Sequence, residues 1–310
     1  MESEADLKPE LSVIVPALRG YETVLAALDA WEAQTCRDQL EILVLCPSAP
    51  DSTHVAAGQT ILSIGSSQLH EARSLGIRRA SGEFIVLAED HCLPDPRWAE
   101  AMLSCLAQGW DGVGPALRSG NPINGWTQAS FLLGYGEWIN PQTGSAAVLP
   151  GHNVVIRKSL LLQLGSQLEQ DMLVSAFLLR RLHRHGHRFY LESRATMRHF
   201  DIAVWNRSLR ILFYVGIGFG AVRVRRWPRA ARVLYVLATP AVAARHWLRA
   251  LLQYRRTGAK AGLTASCLAV AAALSVAWAC GEAFGAIIGT ARAAPFVTLG
   301  EIKPVGRDEV

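Results

Sequence analysis

The stretch 70-HEARSLGIRRASGEFIVLAEDHCLPDPRW-98 decides how this chain folds. It reads as a helix over 70–80, a tight turn at Ser81-Gly82, a buried strand over Phe84 to Ala88, and then three potential ligands, Glu89-Asp90-His91. Open α/β sheets gather their ligands at the carboxyl ends of strands. Three polar side chains at the end of an apolar strand need a reason, and a bound divalent metal is the strongest one. The plain alternative is a solvated turn.

Working outward, Leu11 to Val15 (LSVIV) is an apolar run closed by Pro16, and Glu41 to Leu45 (EILVL) is a second one. Val24, Leu25, Leu28 and Trp31 recur at helical spacing between them, and Thr60 to Ile64 makes a short third strand. Strands alternating with helices predict a mainly parallel sheet wrapped on both faces. Further on, the pattern predicts a helix over 98–108, a strand over 111–117 and a long Gly/Asn/Pro-rich loop over 118–150. That loop carries a short aromatic helix at 131–138, whose Phe131, Tyr135 and Trp138 either stack on a ligand ring or pack the loop. A strand leads into a helix within 151–164, one strong helix covers 168–185, and Gly186 precedes a strand at 188–191.

After His199 the character changes. From Ile202 to Gly281 there is no Asp or Glu, while basic residues recur from Arg207 to Lys260. Such a region seeks an anionic partner. Apolar blocks at 211–222 and 233–244 interleave the arginines, which favours lipid over nucleic acid. Both blocks are too short to cross a bilayer core, and Pro228 and Pro240 break them. Over 244–256, Trp247, Leu248, Leu251 and Leu252 share one helical face with Arg245, Arg249 and Arg256 opposite, the pattern of an interfacial helix. Residues 261–291 hold Glu282 as their one acid and are long enough to span, with a hairpin turning near Gly281 as the alternative. Glu282 then needs a partner, for which an arginine of the interfacial helices is the candidate.

Hydrophobic content of 50% and charged content of 18% fit a soluble part joined to a membrane part. Six scattered cysteines without metal-like spacing read as reduced thiols. The acidic start MESEADLKPE argues against a cleaved signal peptide, so the expected location is a membrane with the catalytic domain on its cytoplasmic side.

LSVIVPA, EILVL, ARSLGIRRASGEFIVLAEDH, the acidic helix before Gly186, and His199 together resemble a family-2 inverting glycosyltransferase of GT-A fold, membrane-attached. The resemblance implies a nucleotide-diphospho-sugar-binding domain over 9–200, basic membrane-surface helices over 201–258, a transmembrane helix or hairpin over 259–292, and a tail over 293–310. It implies transfer of a sugar, such as a hexosyl group, from a nucleotide-diphospho-sugar to a hydroxyl of a lipid-linked or cell-surface glycan, as in polysaccharide biosynthesis. A divalent metal, Mn2+ or Mg2+, would neutralise the diphosphate leaving group. Glu89, Asp90 and His91 fall on the family's DxD positions, with His91 in place of an acid, which suits Mn2+ better than Mg2+.

The same resemblance assigns His91, Asp90 and His199 to the metal, and Pro16, Ala17, Asp51, Arg73, Glu89 and Asp90 to the donor. Glu169 and Asp171 are the candidate bases, Asp171 preferred, against a reading as acids that complement a helix dipole. Arg73 is otherwise a surface arginine beside Arg78 and Arg79. His152 and Asn153 fall where the acceptor-side loop re-enters the sheet. Cys46-Pro47-Ser48 stands where the family places acids for the base and ribose. That departure, with His91, supports a second reading: a membrane-tethered binding or scaffold protein without donor chemistry.

Overall fold

The computed structural model describes residues 9–50, 55–56, 58–202 and 204–302. Asp51, expected at the donor site, lies outside them.

The chain opens with β1 (Leu11–Pro16), α1 (Leu25–Glu32), β2 (Leu40–Cys46), β3 (Gln59–Ser63), α2 (Leu69–Arg79) and β4 (Phe84–Leu87). β5 (Cys92–Pro94), α3 (Trp98–Leu106), β6 (Gly112–Ser119), α4 (Gly125–Tyr135) and β7 (Gly144–Ala146) follow. Then come β8 (Val155–Arg157), α5 (Lys158–Leu162), α6 (Leu168–Met172), α7 (Ser175–Arg184) and β9 (Phe189–His199). One sheet runs in the order β3-β2-β1-β4-β8-β6-β9-β5, with β7 on β9. The first four strands are parallel, as the βα alternation predicts. From β8 onward the sheet is mixed, because β8 and β5 are three-residue strands that pair antiparallel with their neighbours.

Both faces of the parallel half are covered. Val13 and Val15 of β1 and Val44 of β2 join one core with Trp31 and Trp98, whose rings meet edge to face at 5.1 Å. Ile14, Leu43 and Leu45 point the other way, into a core with Ile77 of α2. That two-sided burial is why these strands read as continuous apolar runs. Gly76 lies inside α2, where a Cβ would crowd Ile14 and Leu45; it lets the helix sit close on the sheet.

Two expectations change. The helix predicted over 168–185 breaks at Val174, whose backbone is extended (φ −139°, ψ 89°). Leu173 and Val174 turn inward to pack on Val222, Ala294 and Val297, contacts with residues distant in sequence that override the helical pattern. The loop 118–150 also carries more helix than its Gly and Asn content predicts, with Asn124 capping α4 through its side chain.

The C-terminal third forms a helical layer over the tip of β4. It comprises α8 (Trp205–Val224), α9 (Arg229–Leu237), α10 (Thr239–Gln253) and α11 (Cys267–Glu301). Pro228 caps α9 and Pro240 opens α10, so the prolines break the blocks where expected. α8, expected at the membrane surface, buries Ile211, Leu212 and Ile217 against neighbouring elements.

α11 is long and apolar enough, by length and composition, to cross a membrane. It is not straight. Gly281 abuts Phe213 and Gly216 of α8, and Gly300 abuts Tyr214 and Val215 of the same helix. A straight helix would separate those glycines by roughly 28 Å at 1.5 Å per residue. The chain therefore doubles back, and it does so at Gly289, whose φ of 77° and ψ of 173° suit glycine. Residues 293–301, expected in a tail, form the returning limb. Along the outgoing limb, Gly281 and Gly285 meet the backbone of Phe213, Gly216 and Ile217, while Gly216 and Gly220 of α8 meet that of Trp278 and Glu282, with no room for a Cβ at any of the four glycines. Two small-xxx-small stripes thus permit the close approach.

Candidate functional site

β4 ends at Leu87, and the next four residues are buried: Glu89 is 3% exposed, Asp90 2% and His91 1%. Burial of two carboxylates and an imidazole demands partners. Glu89 has several. Tyr135 donates its hydroxyl to both carboxylate oxygens (3.0 and 3.1 Å), Asn153 donates Nδ2 at 2.6 Å, and the Cys92 thiol lies at 3.3 Å. Burial, and then the Glu89 charge, hold the Tyr135 phenol well above its ordinary pKa, so it stays a donor.

Two carboxylate–imidazole pairs face each other here. Asp90 Oδ1 lies 2.6 Å from His91 Nδ1, and Asp201 Oδ2 lies 3.2 Å from His199 Nδ1. The two Nε2 atoms approach to 3.1 Å, and His91 Nε2 is 3.8 Å from Glu89 Oε1. The hydrogen-bonded carboxylate on His91 Nδ1 favours the proton there and leaves Nε2 as the lone-pair nitrogen of the neutral ring, and the Asp201 charge beside His199 Nδ1 favours the same tautomer. Two such lone pairs at this distance repel unless a cation or a proton lies between them. The donor set of Glu89, His91 and His199 thus fits a divalent metal of nitrogen-tolerant kind. Asp90 fits the role of orienting His91 rather than ligating. His199 arrives through β9, whose end pairs with β5 in the register Cys92↔His199.

Arg73 is buried, 2% exposed, and donates Nη2 to the Ala88 carbonyl at 3.2 Å, one residue before Glu89. Its reading as a surface arginine is excluded, while Arg78 and Arg79 do lie on the exposed face. Pro16 and Ala17 are both buried, Ala17 bonded through its N–H to the Leu45 carbonyl. The cleft beyond the ends of β1, β2 and β3 is lined instead by Leu18, Arg19, Pro47 and Ser48, with Thr298, Leu299 and Ile302 of the C-terminal segment as its far wall.

Glu169 and Asp171 do not reach the site. Glu169 is exposed beside His70 and Glu71. Asp171 is clamped between Arg181 and Arg225, the latter at 2.9 Å, and lines no part of the central cavity. The helix break at Val174 sets α6 apart from α7 and leaves both acids on the outer side.

That central cavity, about 150 Å³, lies between the β4 tip and the helical layer. Glu89, Tyr135, His152 and Asp201 line one part; Arg180, Arg223, Arg245 and Arg249 line another. His152 Nε2 meets Glu301 of the returning limb at 2.7 Å, while its buried Nδ1 has no hydrogen-bond partner among the described residues. Sequence reasoning missed Asp201, Tyr135 as a Glu89 donor, and Glu301. The Asp two residues after His199 was a readable signal; Glu301 was not, being 149 positions from His152. Glu282 is paired as expected, with Arg223 Nε at 3.3 Å and His246 at 2.9 Å, and with the Tyr235 hydroxyl as a third partner.

A search of curated proteins returns no match to the chain. Among solved structures, the "Crystal structure of GalNAc-T7 with UDP, GalNAc and Mn2+" is similar at a TM-score of 0.48 and 11% identity, over 72% of this chain. The similar region is 52% of that structure's chain, so this protein spans about half its length. Residues 12–165 match the sequence model of the family described as glycosyl transferase family 2. β2 to β4, nearly all of β1 and the ligand-bearing tip of β4 lie within that match, so residues 12–165 form an α/β domain that matches glycosyl transferase family 2.

Proposed function

We propose that the protein is an inverting, metal-assisted glycosyltransferase that passes a sugar from a nucleotide-diphospho-sugar to a hydroxyl of a lipid-linked or glycan acceptor. The observation that carries this reading is the convergence of Glu89, His91 and His199, with each imidazole backed by an aspartate. Glu89, His91 and His199 would hold the metal, which when bound supplies positive charge against the diphosphate as it leaves. The cleft beyond β1–β3 would take the nucleoside, and Arg73 would add a buried positive charge beside the phosphates.

Inversion needs an acceptor hydroxyl to attack the anomeric carbon opposite the leaving group. The new C–O bond forms as the bond to the diphosphate breaks, and the hydroxyl proton must go to a base. Since Asp171 and Glu169 lie outside the cavity, we assign that role to His152, with Glu301 orienting its ring as a carboxylate orients the base of a triad. The domain boundaries are proposed near residue 200, between a donor-binding domain over 9–200 and the covering helices beyond it.

The outer faces of α9, α10 and α11 expose Leu234, Leu237, Trp247, Leu248, Leu252 and Ile287. These support seating in a membrane through the helical layer and its hairpin; Arg255, Arg256 and Lys260 ahead of the apolar segment support a cytoplasmic catalytic domain.

The test is transfer from a panel of nucleotide-sugars by the full chain in detergent, with and without Mn2+. Metal-dependent product from the wild type, lost in His91→Ala and His152→Ala, is the expected result. Absence of nucleoside diphosphate binding across the whole panel would sink the reading and leave the scaffold alternative.

A further inference from the structure

The central cavity has a charged end that donor chemistry does not use. Arg180 of α7, Arg223 of α8, and Arg245 and Arg249 of α10 all line it. Four cations brought together from three helices cost folding energy unless something offsets their repulsion. Only part of that offset is internal. Arg223 pairs with Glu282, and Arg249 donates to the Leu133 carbonyl at 2.7 Å. Among the described residues, the half-buried Arg180 and the exposed Arg245 make no guanidinium hydrogen bond or close ion pair. Glu137, which lines the same cavity, is the one carboxylate that raises the pKa of both Arg180 and Arg249; burial, with neighbouring arginines adding to it, lowers both below the ordinary value.

A second observation points the same way. Trp278 lines the cavity, is 4% exposed, and its indole N–H has no hydrogen-bond partner among the described residues. A buried donor without an acceptor, in the same cavity as guanidinium groups that no carboxylate ties down, marks a place for an anion with several oxygens. The rest of the lining is apolar: Leu132, Leu133, Val215 and Phe219. A free inorganic anion would gain nothing from that lining. An anion attached to a hydrocarbon chain satisfies both kinds of wall, and α10, which supplies two of the arginines, exposes Trp247, Leu248 and Leu252 on its outside.

We propose that this cavity binds the phosphate group of a phosphate-bearing lipid, held by Arg180, Arg245 and the Trp278 indole, with its chain running along α10 toward the membrane. Calling that lipid the acceptor rests on the glycosyl transfer proposed above; the binding site itself does not. Glu89 and His152 line the same cavity, so an acceptor anchored by its phosphate at the arginine end reaches the sugar-transfer end without leaving it.

The experiment measures binding to the full chain in detergent micelles by calorimetry, using octyl phosphate, octanol and inorganic phosphate. A separate titration with nucleoside diphosphates and Mn2+ reads the donor site. Octyl phosphate is expected to bind at least about tenfold more tightly than either other probe, a difference of about 1.4 kcal/mol. The double variant Arg180→Ala/Arg245→Ala, which removes no internal bond, is expected to erase that preference while leaving nucleoside diphosphate binding intact. Arg180→Lys/Arg245→Lys should restore part of it. Equal binding of octyl phosphate and octanol would overturn the anion site. Equal binding of inorganic phosphate and octyl phosphate would overturn its lipid character, and an unaffected double variant would overturn the assigned arginines. Loss of nucleoside diphosphate binding alone would remove the glycosyl-transfer reading and leave the phosphate preference standing.

Discussion

The β4 tip and the helical layer above it solve opposite problems. At the tip, polar groups are buried and each is tied to a named partner: Glu89 to Tyr135 and Asn153, His91 to Asp90, His199 to Asp201. In the layer, bare backbone does the packing, with Gly216, Gly220, Gly281 and Gly285 bringing helices into contact. The tip therefore depends on charge and proton placement, and the layer on shape. The cavity between them needs both, since Glu89 and Asp201 come from the tip, Glu301 from the layer, and its arginines mostly from the layer. The lesson is that the tip gathers its partners from within the α/β half of the chain, Tyr135, Asn153 and His199 among them, while the other wall of the cavity is assembled from helices that follow it in sequence.

The largest effect that could break this contrast is at the tip. His91→Ala combined with His199→Ala should lower transfer by roughly 10²–10³-fold, the scale of losing one main electrostatic contact in a transition state. A loss under tenfold, measured as initial rate at saturating donor, would mean the imidazoles do not act there. Next comes the aspartate behind each imidazole. Asp90→Asn or Asp201→Asn should weaken Mn2+ binding by about 10–100-fold with the fold intact, which metal titration followed by calorimetry reads directly. Unchanged affinity in both variants would reduce the two pairs to ordinary buried hydrogen bonds.

In the layer, Gly220→Val forces a branched side chain against the Glu282 backbone. Its cost should be about 1–3 kcal/mol of stability, seen as a lowered thermal midpoint, because helices in backbone contact can yield only by separating. An unchanged midpoint would show that α8 and the outgoing limb of α11 are not packed this way in solution. The smallest effect on rate belongs to Asp171→Asn. The rate should fall by less than about tenfold, well below the ~10²–10⁴-fold that a general base contributes, with a lower thermal midpoint from the lost pairs to Arg181 and Arg225. A larger fall in rate with unchanged stability would return Asp171 to the role of base.

Residues 70–98 disclosed the helix, turn, strand and ligand tip because all four depend on neighbours in sequence: apolar runs, a glycine turn, and polar residues where the strand stops. The parallel half of the sheet was legible for the same reason. The mixed half was not, since β5, β7 and β8 are three residues each and too short to show a period. The position of Asp171 away from the cavity was not legible, because helix 168–185 looks continuous from within, and only the pull of Val222, Ala294 and Val297 on Leu173 and Val174 breaks it.

By itself, then, the sequence determined the α/β half: which strands are buried on both faces, where their ends fall, and that Glu89-Asp90-His91 stands at one of them. It also determined that the last third is basic, apolar and without acids up to Glu282. Only the tertiary structure decided that this third turns back at Gly289 and lays Glu301 against His152. It alone placed four arginines and an indole N–H around one cavity. Local pattern fixes which way a side chain faces along its own element, whereas the partner it meets depends on how distant elements pack, and no period in the chain encodes that distance.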